Sequence, residues 1–139
     1  MSLTFKVLPK GEYRTVKRKV TFTYATQNGN TVEQGFNAHF KLLPESELNA
    51  ILNPDDAGKT DDTSASFLLN AMLAKNAHKK LMGEVWTGWD GIMTEGKSGK
   101  DVELPFSEEA LASLLDDIAV REAVVASYFD ALHGRKSKN

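Results

Sequence analysis

The sequence contains no cysteine, and this absence removes several classes of function at once. Disulfide bonds, zinc sites built from thiolates and thiol nucleophiles are all excluded. No apolar run approaches the roughly 20 residues that a membrane helix requires, and the amino terminus lacks the hydrophobic region of a signal peptide. We therefore expect a protein that has no membrane partner and stays in the cytoplasm.

An excess of basic charge is also missing. The 17 lysines and arginines are matched by 19 aspartates and glutamates, which gives a net charge of −2 at pH 7. Proteins that bind nucleic acid usually carry a basic surface, so this balance argues against a nucleic-acid partner. The 139 residues are 41% hydrophobic and long enough to enclose one core, which predicts a single domain over residues 1–139.

Apolar and polar residues alternate in the amino-terminal third. Over residues 16–24 and again over residues 32–42, the even positions are apolar except for Arg18 and Gln34, which predicts two antiparallel strands. A two-residue turn at Asn28-Gly29 would divide the apolar side chains between the two faces, whereas a three-residue loop over residues 27–29 keeps them on one face. The three-residue loop predicts these cross-strand pairs: Val16 with Phe40, Val20 with Phe36, and Tyr24 with Val32.

Two further features are predicted for this β region, a third strand and a charged face. Leu3, Phe5 and Val7 alternate as well, which predicts a short third strand before a turn at residues 9–11. Because an isolated hairpin is marginally stable in water, the apolar face of the sheet should pack on helices. The opposite face is basic, and it is either solvated protection of a sheet edge or a site for an anionic ligand. Its basic residues are Lys17, Lys19 and Lys41.

Helix signals follow the predicted sheet. A short helix is predicted to begin at Pro44 and to end before residues 53–54. A longer, central helix is predicted from residue 62 or 63 to about residue 78, and it either ends there or continues toward Trp86.

Two more helices are predicted after residue 106. Ser107 followed by Glu108 and Glu109 is a typical helix start, because the serine caps the first turn and the acidic side chains favour its positive end. A last helix is predicted to begin at about Ile118 and to end before Gly134.

The fold class that these elements predict is α+β. It consists of an amino-terminal antiparallel hairpin or small sheet packed on about four helices. The chain is predicted to be mainly β over residues 1–43 and mainly α over residues 44–134, with a frayed basic tail over residues 135–139.

No combination of residues predicts an active site. His39, His78 and His133 lie in separate predicted elements, and the aspartates within residues 55–62 do not follow the pattern of a calcium loop. Residues 88–91 match neither a phosphate-binding loop nor a dinucleotide fingerprint. We therefore predict a protein that is not an enzyme and has no cofactor and no metal site.

Several motifs in the carboxy-terminal part occur in a recognisable order. They are Val85-Trp86-Thr87-Gly88-Trp89-Asp90-Gly91-Ile92, Leu104-Pro105-Phe106-Ser107, Leu111 with Leu114-Leu115, Ala123, Tyr128-Phe129 and Lys136-Ser137-Lys138-Asn139. In this order they resemble the tail assembly chaperones of long-tailed bacteriophages and prophages. Residues 35–42, followed by an acidic helix start, are similar to the same family, whereas the loop over residues 95–101 is longer than the family pattern.

The resemblance implies a non-enzymatic assembly factor. Such a chaperone coats the long, helical tape measure protein, keeps it soluble and helps to recruit subunits of the tail tube protein. It acts in the cytoplasm of the bacterial host and is not retained in the mature virion. Many relatives also have a longer, frameshifted form, and this chain would correspond to the short one. Because many copies on one elongated client bind by avidity, we also expect weak self-association.

The partner-binding candidates form a small aromatic and aliphatic set. Trp86 and Trp89 are either buried aromatic anchors or exposed hot spots for a partner. With the resemblance in view, the candidate surface for the client consists of Trp86, Trp89, Ile92 and Phe106.

Two alternatives to the chaperone remain open. The first is a structural tail subunit of the tube or connector type, although a tube subunit needs strands long enough to close a ring and more than half of this chain is predicted to be helical. The second is a small regulatory domain that binds a ligand on the lysine-rich face of the sheet.

Overall fold

The fold is α+β, as the sequence predicts. A computed structural model describes residues 3–52 and 64–135, with the side chains of residues 64–73 left out of the description. In that part of the chain, a three-stranded sheet and a two-stranded sheet are combined with four helices. The elements are β1 (Arg14–Ala25), β2 (Thr31–Leu42), α1 (Glu45–Leu52), α2 (Ser64–Val85), β3 (Trp86–Asp90), β4 (Met93–Glu95), β5 (Asp101–Glu103), α3 (Glu108–Leu115) and α4 (Ile118–Leu132).

Strands β1 and β2 form the predicted hairpin in the predicted register. The amide of Thr26 donates a hydrogen bond of 2.7 Å to the carbonyl of Asn30, and Gly29 takes a φ of +82° in the three-residue loop. Glycine adopts this left-handed conformation without steric cost, so the loop closes and all apolar side chains stay on one face. The pairs Val16 with Phe40, Val20 with Phe36 and Tyr24 with Val32 are confirmed.

The third strand of the sheet is not the one that the sequence predicts. Residues 3–9 form no strand, and the side chains of Leu3, Phe5 and Val7 are 95%, 79% and 76% exposed. In the turn that follows, the amide of Glu12 bonds to the carbonyl of Pro9, and Gly11 has a φ of +91°, as the third residue of a type II turn does. Turns of that type splay the two chain segments apart and do not fit the twist of a hairpin.

The actual third strand is β3, which pairs antiparallel with β2 on the side away from β1. Of the two predicted ends of α2, the structure agrees with the later one, because the helix continues to Val85; β3 begins at the next residue without a connecting loop. The region predicted to be mainly α therefore also contains β3 and the short β4–β5 hairpin. The predicted start of α2 and the aspartates of residues 55–62 lie outside the described residues.

The helix boundaries after residue 106 agree with the sequence. The Ser107 hydroxyl accepts a 3.0 Å hydrogen bond from the amide of Ala110 at the start of α3, and Asp117 accepts one of 3.2 Å from Val120 at the start of α4. Gly134 follows α4 with a φ of +70°. No helix within residues 3–52 and 64–135 is both long enough and apolar enough to cross a membrane.

The core lies between the inner face of the sheet and helices α2, α3 and α4. Helix α4 runs along the hairpin: its first turn is near Tyr24, and Tyr128 near its other end reaches the far end of β2. The buried Tyr128 hydroxyl donates to the carbonyl of Lys41 at 3.1 Å and accepts from the amide of Leu43 at 3.0 Å. These bonds fix α4 on the sheet, and the edge-to-face contact of Tyr128 with Phe40 fills the space between them.

Candidate functional site

Two of the four predicted partner-binding residues lie in the core. The side chains of Trp86 and Trp89 are 1% and 6% exposed. Trp86 stacks on Phe36 with ring centroids 5.6 Å apart, and Trp89 donates its indole N–H to the carbonyl of Leu104 at 2.8 Å. Of the two interpretations of these tryptophans, the structure agrees with buried anchors, so neither ring is accessible to a partner in this conformation.

The other two predicted residues lie closer to solvent. Phe106 covers Trp89 with ring centroids 4.7 Å apart, and it is 42% exposed. Ile92 is half-buried against the core, and its carbonyl accepts a 2.8 Å hydrogen bond from Leu104 at the base of the β4–β5 hairpin. The structure therefore brings Trp89 and Phe106 together, and it leaves Phe106 as the most accessible of the four.

An open groove lies between the end of β1 and helices α3 and α4, and Ser107, the residue after Phe106, lines it. Its volume is about 430 Å³. The lining combines apolar side chains, small side chains and two carboxylates. The lining residues are Tyr24, Leu104, Ser107, Glu109, Ala110, Ser113, Leu114, Asp117 and Val120.

Two faces of α3 differ in their surroundings. Leu111 and Leu115 of this helix are buried in the core, whereas Ala110, Ser113 and Leu114 line the groove. Residues spaced by three or four positions share one face of a helix, so Ala110 and Ser113 place two small side chains on the groove side. These small side chains leave room for another chain to approach the helix backbone.

A hydrogen bond between two distant parts of the chain holds the groove in shape. The Tyr24 hydroxyl, at the end of β1, donates a 2.6 Å bond to one carboxylate oxygen of Asp117, whose other oxygen caps α4. Burial of the hydroxyl and then this bond raise the pKa of Tyr24 to about 12. The phenol therefore stays protonated at neutral pH, and the contact ties the end of the hairpin to the start of α4.

Four of the nine exposed large apolar side chains in the described residues belong to the groove or adjoin residues that line it. Tyr24 is 37% exposed, its cross-strand partner Val32 is 42% exposed, and Ile118, next to Asp117, is 63% exposed. Phe106 precedes Ser107, which lines the groove. Large apolar side chains that share one region of the surface are typical of a protein-binding site, whereas single exposed ones are common everywhere.

The outer face of the sheet is less basic than the sequence predicts. Asp90 of β3 lies 3.1 Å from the Lys17 ammonium and 2.8 Å from the His39 ring, and Lys41 lies over the ring of Tyr13. The hydrogen bonds with His39 and then Lys17 lower the pKa of Asp90 below its usual value. A carboxylate that reaches from the edge strand β3 to Lys17 of β1 would repel an anionic ligand, so the solvated interpretation agrees better with the geometry.

Metal chemistry finds no support in the described part of the chain. Within residues 3–52 and 64–135, no group of at least three His, Asp or Glu side chains could hold a metal ion. The His39–Asp90 contact joins residues that are 51 positions apart, so spacing in the sequence could not indicate it.

The groove itself could not be identified from the sequence. The sequence predicts Tyr24 only as a cross-strand partner, and it assigns no role to Ala110 and Ser113. The available signal is the contrast on α3 between its leucines and its small residues. The opposite wall comes from a strand more than 80 positions earlier, and only the three-dimensional fold reveals that proximity.

Comparison with known proteins finds no relative of this chain, since no protein-family model, no curated protein and no solved structure matches it.

Proposed function

We propose that this protein is a tail assembly chaperone of a long-tailed phage or prophage. In this proposal it binds the tape measure protein, keeps it soluble and helps to recruit tail tube subunits. It acts in the cytoplasm of the bacterial host and is absent from the mature virion. The observation that carries the proposal is the open groove with exposed apolar side chains around it, because a chaperone for apolar helices needs such a surface.

The shape of the groove suits one face of a helix. Ala110 and Ser113 allow a helix backbone to approach α3 closely, and Leu114 and Tyr24 offer apolar contacts to side chains three or four positions apart. A volume of about 430 Å³ accommodates only a few side chains, so one copy would hold a short stretch of the client. Many copies along an elongated client would then bind tightly through many weak contacts.

The predicted candidate residues take different roles in this proposal. Phe106 contacts the client directly, because it is the exposed member of the set and immediately precedes Ser107, which lines the groove. Trp89 positions Phe106 through the contact of their rings, whose centroids are 4.7 Å apart. Trp86 packs against Trp89 in the core, and the carbonyl of Ile92 bonds to the amide of Leu104 at the base of the β4–β5 hairpin.

Co-expression tests the proposal. The chain is expressed with the tape measure protein of the same gene cluster, and the soluble fraction of the tape measure protein is measured against co-expression with an empty vector. We expect solubility to rise with the wild type and with Ala112→Arg, and to fall to the empty-vector level with Ser113→Arg. Both positions are exposed on α3, but only Ser113 lines the groove, so Ala112→Arg is a matched control.

Two results would count against the proposal. If the wild type does not raise the solubility of the tape measure protein and is found in purified mature tails, the chain is a structural tail subunit. If both arginine variants rescue solubility equally well, the groove is not the client site.

A further inference from the structure

The charge of this protein is divided between its two halves. Residues 1–43 contain seven basic and two acidic side chains, whereas residues 44–139 contain ten basic and seventeen acidic ones. The net charge of −2 thus combines a strand region of +5 with the remainder at −7. Two copies of such a chain attract one another when the strand region of one meets the helical region of the other.

The amino-terminal segment, defined as residues 3–8, has no cover over its apolar side chains. Among the side chains that the structure describes, Leu3, Phe5 and Val7 are the three most exposed large apolar ones. The Arg14 guanidinium lies over the Phe5 ring at 4.8 Å and donates a hydrogen bond to the Lys6 carbonyl. These contacts hold the segment beside the start of β1, and its apolar side chains remain in water, which is unfavourable.

The groove complements this segment in both polarity and charge. The groove offers an apolar wall and the carboxylates of Glu109 and Asp117, and none of its nine lining residues is basic. The segment offers three apolar side chains and the ammonium of Lys6. Apolar burial would supply most of the attraction, and the lysine and the carboxylates would select the orientation.

The segment lies far from the groove of its own chain. The groove is near Tyr24, which is ten positions from Arg14 along β1, a distance of about 33 Å. The contacts of Phe5 and Lys6 with Arg14 hold the segment at the opposite end of this strand. The turn at residues 9–12 directs it away from β1, so the groove of a second copy is the one open to it.

We propose that the amino-terminal segment of one copy docks in the groove of a second copy. Because the segment and the groove lie at opposite ends of the hairpin, the contact is head-to-tail and can be repeated from copy to copy as an open chain. The self-association does not depend on the identity of the client. Its consequence does rest on the proposed function: the segment would cover the groove of the free chaperone, and the client would displace it.

Sedimentation velocity of the full chain over a wide concentration range tests this contact. We expect the wild type to sediment faster as concentration rises, without a limit at the dimer. Phe5→Glu in the segment and Ser113→Arg in the groove should each weaken the association at least about tenfold. Met93→Glu and Ala112→Arg change exposed residues outside both surfaces, and we expect them to associate like the wild type.

An exchange of charges tests the predicted orientation. Lys6→Glu and Glu109→Lys should each weaken the association, and the two changes combined in one chain should restore it, because the new carboxylate of one copy then faces the new ammonium of the next. Added salt should weaken the wild-type association. A chain that stays monomeric at every concentration, or association that survives both Phe5→Glu and Ser113→Arg, would overturn the proposal. The proposal would also be overturned if the chain that combines Lys6→Glu with Glu109→Lys associates no more strongly than the two single variants.

Failure of this inference can be distinguished from failure of the proposed function. If Phe5→Glu is monomeric and still keeps the tape measure protein soluble, the self-association and the chaperone function both stand. If the variants associate as expected but the wild type does not keep the tape measure protein soluble, the contact between copies stands and the proposed function fails.

Discussion

The inner face of the β1–β2 hairpin carries apolar side chains from one end to the other, interrupted by Arg18 and Gln34, but the helices cover only one part of it. Val20 and its partner Phe36 are 1% and 7% exposed under the helices, whereas Tyr24 and its partner Val32 are 37% and 42% exposed on the same face. Helix α4 runs from here toward the far end of β2, and it begins just after Asp117, which accepts the hydrogen bond from Tyr24.

A binding surface can arise in this way without a dedicated motif. The covered part and the open part of the hairpin have the same alternation of apolar and polar residues, and they differ only in their neighbours. Where α4 begins, the cover ends, and the apolar face continues into the groove. The groove is therefore an uncovered extension of the core, which explains its apolar wall.

Trp86→Ala should give the largest effect, because it removes the largest fully buried side chain, which stacks on Phe36 in the covered part of the hairpin. Trp86 is 1% exposed and contacts Phe36 and Trp89. The cavity should lower the free energy of unfolding by about 3–5 kcal/mol. Urea denaturation followed by circular dichroism measures this change, and Phe106→Ala, at a 42% exposed position, is the control with an expected loss of about 1 kcal/mol. Equal losses would mean that the two aromatics are equally buried in solution.

Valine-to-alanine changes at the two ends of the hairpin compare the covered and open parts directly. Val20→Ala, at a 1% exposed position, should lower the free energy of unfolding by about 2 kcal/mol. Val32→Ala, at a 42% exposed position, should lower it by about 0.5 kcal/mol. The two substitutions remove the same atoms from the same face of one sheet, so denaturation curves isolate the effect of the helical cover. A larger loss at Val32 would contradict the comparison.

We expect the smallest effect at Tyr24, which lies at the boundary between the covered and open parts, and we expect its effect on stability to change only at high pH. The pKa of Tyr24 is raised from 10.0 to about 12, so the folded chain retains this proton more tightly than the unfolded chain does. The stability that this hydroxyl contributes is therefore complete below pH 10 and is lost as the pH rises toward 12. We expect Tyr24→Phe to be less stable than the wild type at pH 8 and the difference to narrow between pH 10 and pH 12. If the difference in stability stays constant over that range, deprotonation of the Tyr24 hydroxyl does not contribute to the pH dependence of folding.

The hairpin could be predicted in detail because local chemistry determines it. The alternation indicates the two strands, and the requirement that all apolar side chains share one face selects the loop at residues 27–29, in the register that the structure has. Helices α3 and α4 are equally predictable, since Ser107 and Gly134 mark boundaries by their own backbone chemistry.

Strand β3 and the groove could not be predicted, for different physical reasons. No turn residue separates α2 from β3, and Trp86–Asp90 becomes a strand because the edge of β2 is available to pair with it. Leu3, Phe5 and Val7 alternate as a strand would, but the turn at residues 9–12 directs them away from β1. Tyr24 and α3 line the groove together only because tertiary packing brings them close, and no local sequence pattern indicates that proximity.

Site-specific photo-crosslinking tests most directly the proposal that the groove beside α3 binds the client. A benzophenone amino acid is placed at Ser113 in one variant and at Ala112 in another, and each is irradiated with the tape measure protein. Both residues are exposed on the same helix, and only Ser113 lines the groove. We expect a crosslink to the tape measure protein from Ser113 and none from Ala112. Equal crosslinking from both positions, or crosslinking from Ala112 alone, would contradict the proposal.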